Sequence, residues 1–123
     1  MNYETARKLL IDQTIIEADA DTLLARLQQG KPPVPGQVTS TLLALKVAFS
    51  ELKAATTLDK ELAFALYKLG VKAQQFFTAG HKSGVNWPPL LKEDLLHISL
   101  LAESIFSGQL QTPAAGFKFK EEE

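Results

Sequence analysis

Apolar residues recur at intervals of three or four positions through most of this chain, from Leu9 to Ile105. This spacing places them on one face of a helix, whereas a half-buried strand would require strict alternation. Segments that contain proline or glycine interrupt the pattern at several points. The sequence therefore predicts an all-α protein whose helices bury their apolar faces against one another in an up-down bundle.

The interruptions divide the chain into four predicted helical regions, at about 3–29, 37–55, 57–79 and 88–107. Asn2 is placed to cap the first region. Thr57 and Asp59 begin the third, with Asp59 and Glu61 favourably placed in its first turn. The first region contains no Pro or Gly, so one long helix is possible. Asp19 and Asp21 are also good helix caps, and we prefer two segments, or a kink, near residues 18–21. The bundle then has four helices, or five if the first region breaks.

The length of the chain and the core stripes predict one domain. At 123 residues the chain matches a common size for a single hydrophobic core. Residues 1–108 are predicted to form the bundle and residues 109–123 a C-terminal tail. A very short turn joins the second and third helices, which predicts an antiparallel hairpin between them. We expect the core to include the following side chains: Leu45, Phe49, Leu66 and Leu95.

Charge and composition exclude several kinds of partner. The 13 basic and 14 acidic residues leave a net charge of −1, so no overall field attracts nucleic acid or an anionic membrane. The chain has no cysteine, which excludes disulfides and thiolate sites. No segment approaches the roughly 20 apolar residues that cross a bilayer, and the N-terminus lacks the apolar core of a secretory signal. We expect a cytoplasmic protein without nucleic-acid or membrane partners.

The segment 80–89 is the strongest candidate for a functional surface. His81, Lys82, Asn86 and Trp87 bring a titratable ring, a cation, an amide and an indole to a predicted loop, where function is common. A phosphate-binding loop is rejected because His81 and Phe76 stand where that motif requires glycine. The alternative for Trp87 is a packing role that closes the end of the bundle.

No catalytic, cofactor or metal site is predicted elsewhere. Glu93, Asp94 and His97 share a helix face, but a di-metal bundle site needs a second such motif and further inward carboxylates. Glu93 and His97 lie beside the core stripe and are expected to face water. The sequence also lacks a nucleophile elbow, a His-Glu-x-x-His motif and a dinucleotide-binding glycine pattern.

Apolar residues beside the core stripes favour an interaction or assembly protein. Surplus positions occur on the predicted second, third and fourth helices: Leu43, Val47, Phe64, Tyr67, Val71, Phe76, Phe77 and Leu100. A helix whose apolar stripe is wider than one neighbouring helix can cover needs a second partner for the rest. We therefore predict a homodimer that acts through helix faces and the 80–89 loop. The alternative function is a small-molecule-binding or catalytic bundle with a pocket near His81, Lys82 and Trp87.

Three segments together carry a resemblance to other proteins: Gln28–Ser40, Leu58–Ala63 and Trp87–Leu91. They resemble segments of short helical proteins of cyanobacteria, and the similarity would span about residues 3–107. Some of those proteins carry an automatic label of dethiobiotin synthetase. The resemblance implies the helical fold but transfers no site residue, because its motifs carry no known chemistry. The labelled reaction consumes a nucleoside triphosphate, normally on a parallel sheet with a phosphate-binding loop, and the sequence predicts neither.

Overall fold

The computed structural model describes residues 1–111, and its regular elements are all helical. They are α1 (Tyr3–Asp12), α2 (Leu23–Gln28), α3 (Gln37–Leu52), α4 (Lys60–Tyr67), a π-helical segment (Lys68–Lys72), α5 (Ala73–Lys82) and α6 (Leu91–Ser107). The segments from α4 to α5 follow one another without a break and form one long helix. The predicted all-α class is confirmed, and the finer up-down order stays a prediction.

The first helical region breaks into α1 and α2, as preferred from the sequence. Asn2 caps α1, since its side chain accepts a hydrogen bond from the Thr5 amide at 2.8 Å. The interval of ten residues between the helices, 13–22, is wider than expected. It ends at Thr22, whose hydroxyl accepts a hydrogen bond from the Ala25 amide at 3.2 Å and caps α2.

The predicted capping role of Asp19 and Asp21 is wrong. Asp19 has a φ of +64°, a left-handed conformation that Asp tolerates better than most residues and that interrupts a helix. The Asp21 carboxylate accepts a hydrogen bond from Arg26 at 3.0 Å. Thr22 is therefore the residue that starts α2, because its hydroxyl lies within reach of an unpaired amide in the first turn.

The long helix begins and ends slightly later than the sequence predicted. The Asp59 carboxylate accepts a hydrogen bond from the Leu62 amide at 2.8 Å, so Asp59 is the N-cap and Thr57 lies before the helix. At the other end, the Val85 amide donates to the Gly80 carbonyl at 2.8 Å, and Gly84 has a φ of +94°. This is a Schellman cap, in which the residue that follows the helix is left-handed, a conformation that glycine adopts without steric cost. Residues 80–82 are consequently helical, and the prediction of a loop beginning at Gly80 is wrong.

The helix packing places α1 and α6 against both α3 and the long helix. α1 contacts α3 and α4, α6 contacts α3, the π-helical segment and α5, and α2 contacts α5. Within residues 1–111, no comparable contact joins α3 to the long helix. The predicted hairpin between these two helices is therefore wrong. Instead, α3 and the long helix each pack against α1 and α6.

The buried side chains form one core cluster. Leu45, Leu66 and Leu95 are buried as predicted, whereas Phe49 is half-buried and packs against the edge of the core. On α6 the predicted stripe is wholly buried: Leu91, Leu95, Ile98, Leu101 and Ile105. This helix begins at Leu91, after a turn in which the Pro88 carbonyl accepts a hydrogen bond from the Leu91 amide at 3.1 Å.

None of the helices formed by residues 1–111 combines the length and the apolar character needed to cross a membrane. Most of the predicted tail lies outside the described residues, including Phe117 and Phe119. The Gln111 amide donates to the Ser104 hydroxyl at 2.7 Å, so the last described residue lies beside α6.

Candidate functional site

The four residues predicted as a functional surface lie near one end of the long helix, in its last turn and in the loop that follows. His81 and Lys82 are exposed in the last turn of α5, and Asn86 is exposed in the following loop. Trp87 is half-buried. No hydrogen bond or ion pair between described residues joins any two of them. The structure therefore places them near one another in the chain, and their use as a surface stays a prediction.

Trp87 has the packing role that the sequence offered as an alternative. Its ring stacks on Phe77 with centroids 5.6 Å apart and planes inclined by 21°. Its indole N–H donates a hydrogen bond to the Phe77 carbonyl at 2.9 Å. A methyl group at Gly80 would lie 2.5 Å from the Trp87 ring, so only glycine allows this approach. The indole face and its single donor are both used inside the protein.

A depression of about 400 Å³ lies on α5 beside this end of the helix. Its lining residues are Gln74, Gln75, Thr78, Ala79 and Lys82. All of them belong to one helix, whereas ligand pockets are clefts that bury most of the ligand surface. The depression includes Lys82 but neither His81 nor Trp87, and it lacks the enclosure that the predicted small-molecule site requires.

Asp94 and His97 of α6 are partly buried. Glu93 is exposed as expected, but His97 is half-buried, which corrects the prediction that it faces water. Burial raises the pKa of Asp94, and the neighbouring Glu93 adds to this effect. Burial and the nearby Lys46 lower the pKa of His97, which favours the neutral ring. Among residues 1–111, no group of three or more His, Cys, Asp or Glu residues is arranged to hold a metal ion.

An ion-paired cluster joins α1 to the beginning of α4. The Arg7 guanidinium donates to both carboxylate oxygens of Asp59, at 3.1 and 3.0 Å, and to Glu61 at 3.0 Å. The hydrogen bonds from Arg7 and from the Leu62 amide lower the pKa of Asp59. All three charged groups have partners within the protein, so the cluster is explained by packing of α1 on α4.

The outer face of the long helix carries a line of exposed apolar side chains. Phe64, Tyr67 and Val71 are 59%, 47% and 38% exposed, and their spacing of three and four places them on one helix face. We call these three residues the aromatic stripe. The Lys68 ammonium lies 4.4 Å from the centroid of the Phe64 ring, a cation–π contact. The sequence identified these residues as surplus apolar positions but did not single them out as a site.

Other exposed apolar side chains are dispersed over different elements. Those exposed by about half or more, apart from the N-terminal Met1, are Leu43, Leu90, Phe106 and Leu110. Leu43 lies on α3, Leu90 precedes α6, and Phe106 lies in its last turn. Single exposed apolar residues are normal on protein surfaces, whereas a contiguous group is a candidate interaction site.

Comparisons of the chain with protein-family models, with curated proteins and with solved structures find no significant match. The resemblance to cyanobacterial proteins thus stays an expectation, and no residue role is taken from it. The candidate site rests on the geometry and chemistry of this chain alone.

Proposed function

We propose that this chain is a helical-bundle interaction protein that binds a partner through the aromatic stripe. The observation that carries the proposal is the alignment of Phe64, Tyr67 and Val71 on an exposed helix face. Aromatic side chains contribute large contact areas and are enriched at interfaces. The fold supports this use, because the other side of the same helix is buried in the core and holds the stripe rigidly.

The charges around the aromatic stripe favour an acidic partner. Lys68 lies on the stripe itself, and Lys60 and Lys72 are exposed on the same helix. Along the sequence, the acidic residue nearest to the stripe is Glu61, three positions before Phe64. Its carboxylate is already paired with Arg7. A partner with aromatic or aliphatic side chains next to carboxylates would match both the apolar and the charged parts of this surface.

We retain the homodimer as a separate proposal, supported by the exposed Leu43 on α3. The aromatic stripe is a poor surface for two-fold pairing, because such pairing would bring Lys68 and Lys72 of both copies together. Sedimentation equilibrium tests the proposal, and the expected result is a dimer. A monomer at all accessible concentrations would contradict it.

Selection from a random peptide library on the immobilised full-length chain tests the partner-binding proposal. The expected result is enrichment of peptides that combine aromatic residues with Asp or Glu. Binding of these peptides should be lost in Phe64→Ser, because the most exposed ring of the stripe is removed. The selection is repeated on a chain with Phe117→Ala and Phe119→Ala, so that the tail does not compete.

The matched control is Leu43→Ser, which removes an apolar side chain of similar exposure from α3. This variant should bind the selected peptides as the unaltered chain does. The proposal is wrong if neither the unaltered chain nor the chain with Phe117→Ala and Phe119→Ala enriches peptides that combine aromatic and acidic residues. It is also wrong if Phe64→Ser and Leu43→Ser weaken binding equally.

A further inference from the structure

We propose that the C-terminal segment Phe117–Glu123 of the same chain binds the aromatic stripe and occupies it until a partner displaces the segment. This inference deepens the proposed function, since it adds regulation to the same surface. It is supported by the chemistry of the segment, the charges on the long helix and the length of chain that joins them.

The segment has the composition that the aromatic stripe favours. It reads Phe-Lys-Phe-Lys-Glu-Glu-Glu, with two aromatic residues followed by three glutamates. Alternate side chains of an extended chain lie on opposite sides. Bound in this form, the segment would place Phe117 and Phe119 against the stripe and direct Lys118 and Lys120 toward solvent.

The charges of the long helix complement the end of the segment. Lys68 and Lys72 are one turn apart, and Lys72 is exposed. Glu121 to Glu123 follow Phe119 directly, so apolar contact at the stripe would bring carboxylates toward these ammonium groups. Exposed pairs of this kind contribute little individually, which suits an occupant that a partner must be able to displace.

The connection is long enough for binding within one chain. A methyl group at Gly70 would lie 3.7 Å from the Ser99 hydroxyl and 3.8 Å from Ala102. Gly70 in the long helix and Ser99 to Ala102 in α6 therefore lie at the same height along the two helix axes. Trp87, which precedes α6, packs against Phe77 in α5, so the two helices are antiparallel.

Ser104 therefore lies near the level of Tyr67, and the Gln111 amide is bonded to Ser104. The six residues from Gln111 to Phe117 span at most about 20 Å. Packed helices are about 8–10 Å apart, so this length reaches from α6 around the neighbouring helix to its outer face.

Photo-crosslinking within the full chain tests the inference. A benzophenone-bearing phenylalanine analogue replaces Phe119, and the products are mapped by mass spectrometry. We expect an intramolecular cross-link to the part of the long helix between Phe64 and Lys72. A cross-link that maps to another element, or that joins only separate chains, would overturn the proposal.

Charge reversal supplies a second, independent measurement. Lys68→Glu combined with Lys72→Glu should lower the yield of this cross-link by roughly two- to tenfold, because two attractive contacts become repulsive. Reversal of Glu121, Glu122 and Glu123 to Lys in the same chain should restore the yield. The control pair, Lys46→Glu with Lys53→Glu on and just after α3, should leave it unchanged. Failure of the rescue, or an equal effect of the control pair, would contradict binding of the segment at the stripe.

The two proposals fail in different ways. If selected peptides depend on Phe64 but Phe119 does not cross-link to the long helix, the partner surface stands and occupation by the segment is wrong. If the cross-link forms at the stripe but no peptide binds even after Phe117→Ala and Phe119→Ala, the surface serves the chain's own segment and the partner proposal is wrong.

Discussion

Both faces of the long helix carry apolar side chains, but the two faces have opposite environments. On the inner face, Leu62, Leu66 and Leu69 are fully buried. On the outer face, Phe64 and Tyr67 expose about half of their surface, at 59% and 47%. The difference arises because α1, α2 and α6 cover one side of the helix and no described element covers the other. Apolar periodicity thus identifies candidate contact surfaces, and the neighbouring elements decide which of them become core.

The composition of the two faces differs in a way that fits these environments. The fully buried residues of the inner face are Leu and Ala, which pack closely against neighbouring helices. The outer face carries two aromatic residues and Val71 beside lysines. Aromatic residues are enriched at protein interfaces, whereas lysine is depleted there. The lysines therefore favour a partner with its own acidic groups. Four variants and two control variants test this account of the long helix, in order of the expected effect on stability.

Leu66→Ala should cause the largest loss of stability. The side chain is fully buried in the core, and its truncation should cost about 2–5 kcal/mol through lost burial and a residual cavity. Urea denaturation measures the change. A loss below about 0.5 kcal/mol, the size expected at the surface, would show that Leu66 does not belong to the inner face.

Gly80→Ala should destabilise the packing of the long helix near its C-terminal end, where Gly80 contacts Trp87. The new methyl group would lie 2.5 Å from the Trp87 ring, which is held by Phe77 and shifts only with loss of that contact. Overpacking of this kind costs about 1–3 kcal/mol. Trp87 is the only tryptophan in the sequence, so its fluorescence reports the displacement directly.

The matched control is Gly70→Ala in the π-helical segment. A methyl group there meets only ordinary contacts, the shortest being 3.7 Å. This variant should be neutral or more stable by up to about 1 kcal/mol, because alanine favours helix over glycine. Equal destabilisation by both substitutions would mean that contact with Trp87 is not the cause.

Asp59→Asn should reduce the pH dependence of stability at the beginning of the long helix. The pKa of Asp59 is lowered in the folded protein, so its ionised form stabilises the fold above the unfolded pKa of about 4. This contribution is lost as the pH falls through the folded pKa. Asparagine keeps the cap but not the charge, and the loss should be about 1 kcal/mol or less for a pair that is partly exposed.

Urea denaturation at neutral pH and at pH values below about 4 measures this effect. The unaltered chain should lose more stability on acidification than Asp59→Asn does. Glu17→Gln, in the exposed interval between α1 and α2, should behave as the unaltered chain. An identical acid response of Asp59→Asn and the unaltered chain would contradict a stabilising role for the Arg7 pair.

Phe64→Ser should have the smallest effect on stability, about 0.5 kcal/mol, because the ring is mostly exposed. The same substitution should abolish binding of the selected peptides. Denaturation and peptide binding are measured on one preparation. A stability loss as large as that of Leu66→Ala would place Phe64 in the core and remove the distinction between the two faces.

Regular segments were predictable from sequence and irregular ones were not. The core face of α6 follows directly from its uninterrupted spacing, and Asn2 and Asp59 cap their helices as their side chains allow. The ten-residue break between α1 and α2 depends on the left-handed Asp19 and on Thr22. Such local conformations depend on contacts with distant residues, including Gln37, which donates to the Asp21 carbonyl at 2.8 Å.

The candidate site was predicted only as a set of surplus residues. Phe64, Tyr67 and Val71 were grouped as surplus positions together with Phe76 and Phe77, which are half-buried against the core. The residues chosen for their chemistry near position 80 proved to be a helix end and a packed indole. Side-chain type indicated what each residue could do, but its neighbours determined whether it was accessible.

By itself, the amino-acid sequence determined that this chain is helical, where most of its helices lie and which leucines face inward. These properties depend on interactions between residues a few positions apart and on the free energy of burying apolar surface. Tertiary structure alone decided that α1 and α6 separate α3 from the long helix. It also decided that the aromatic stripe is exposed. Which faces of a helix are covered depends on where all the other helices pack, and spacing along one helix does not specify that.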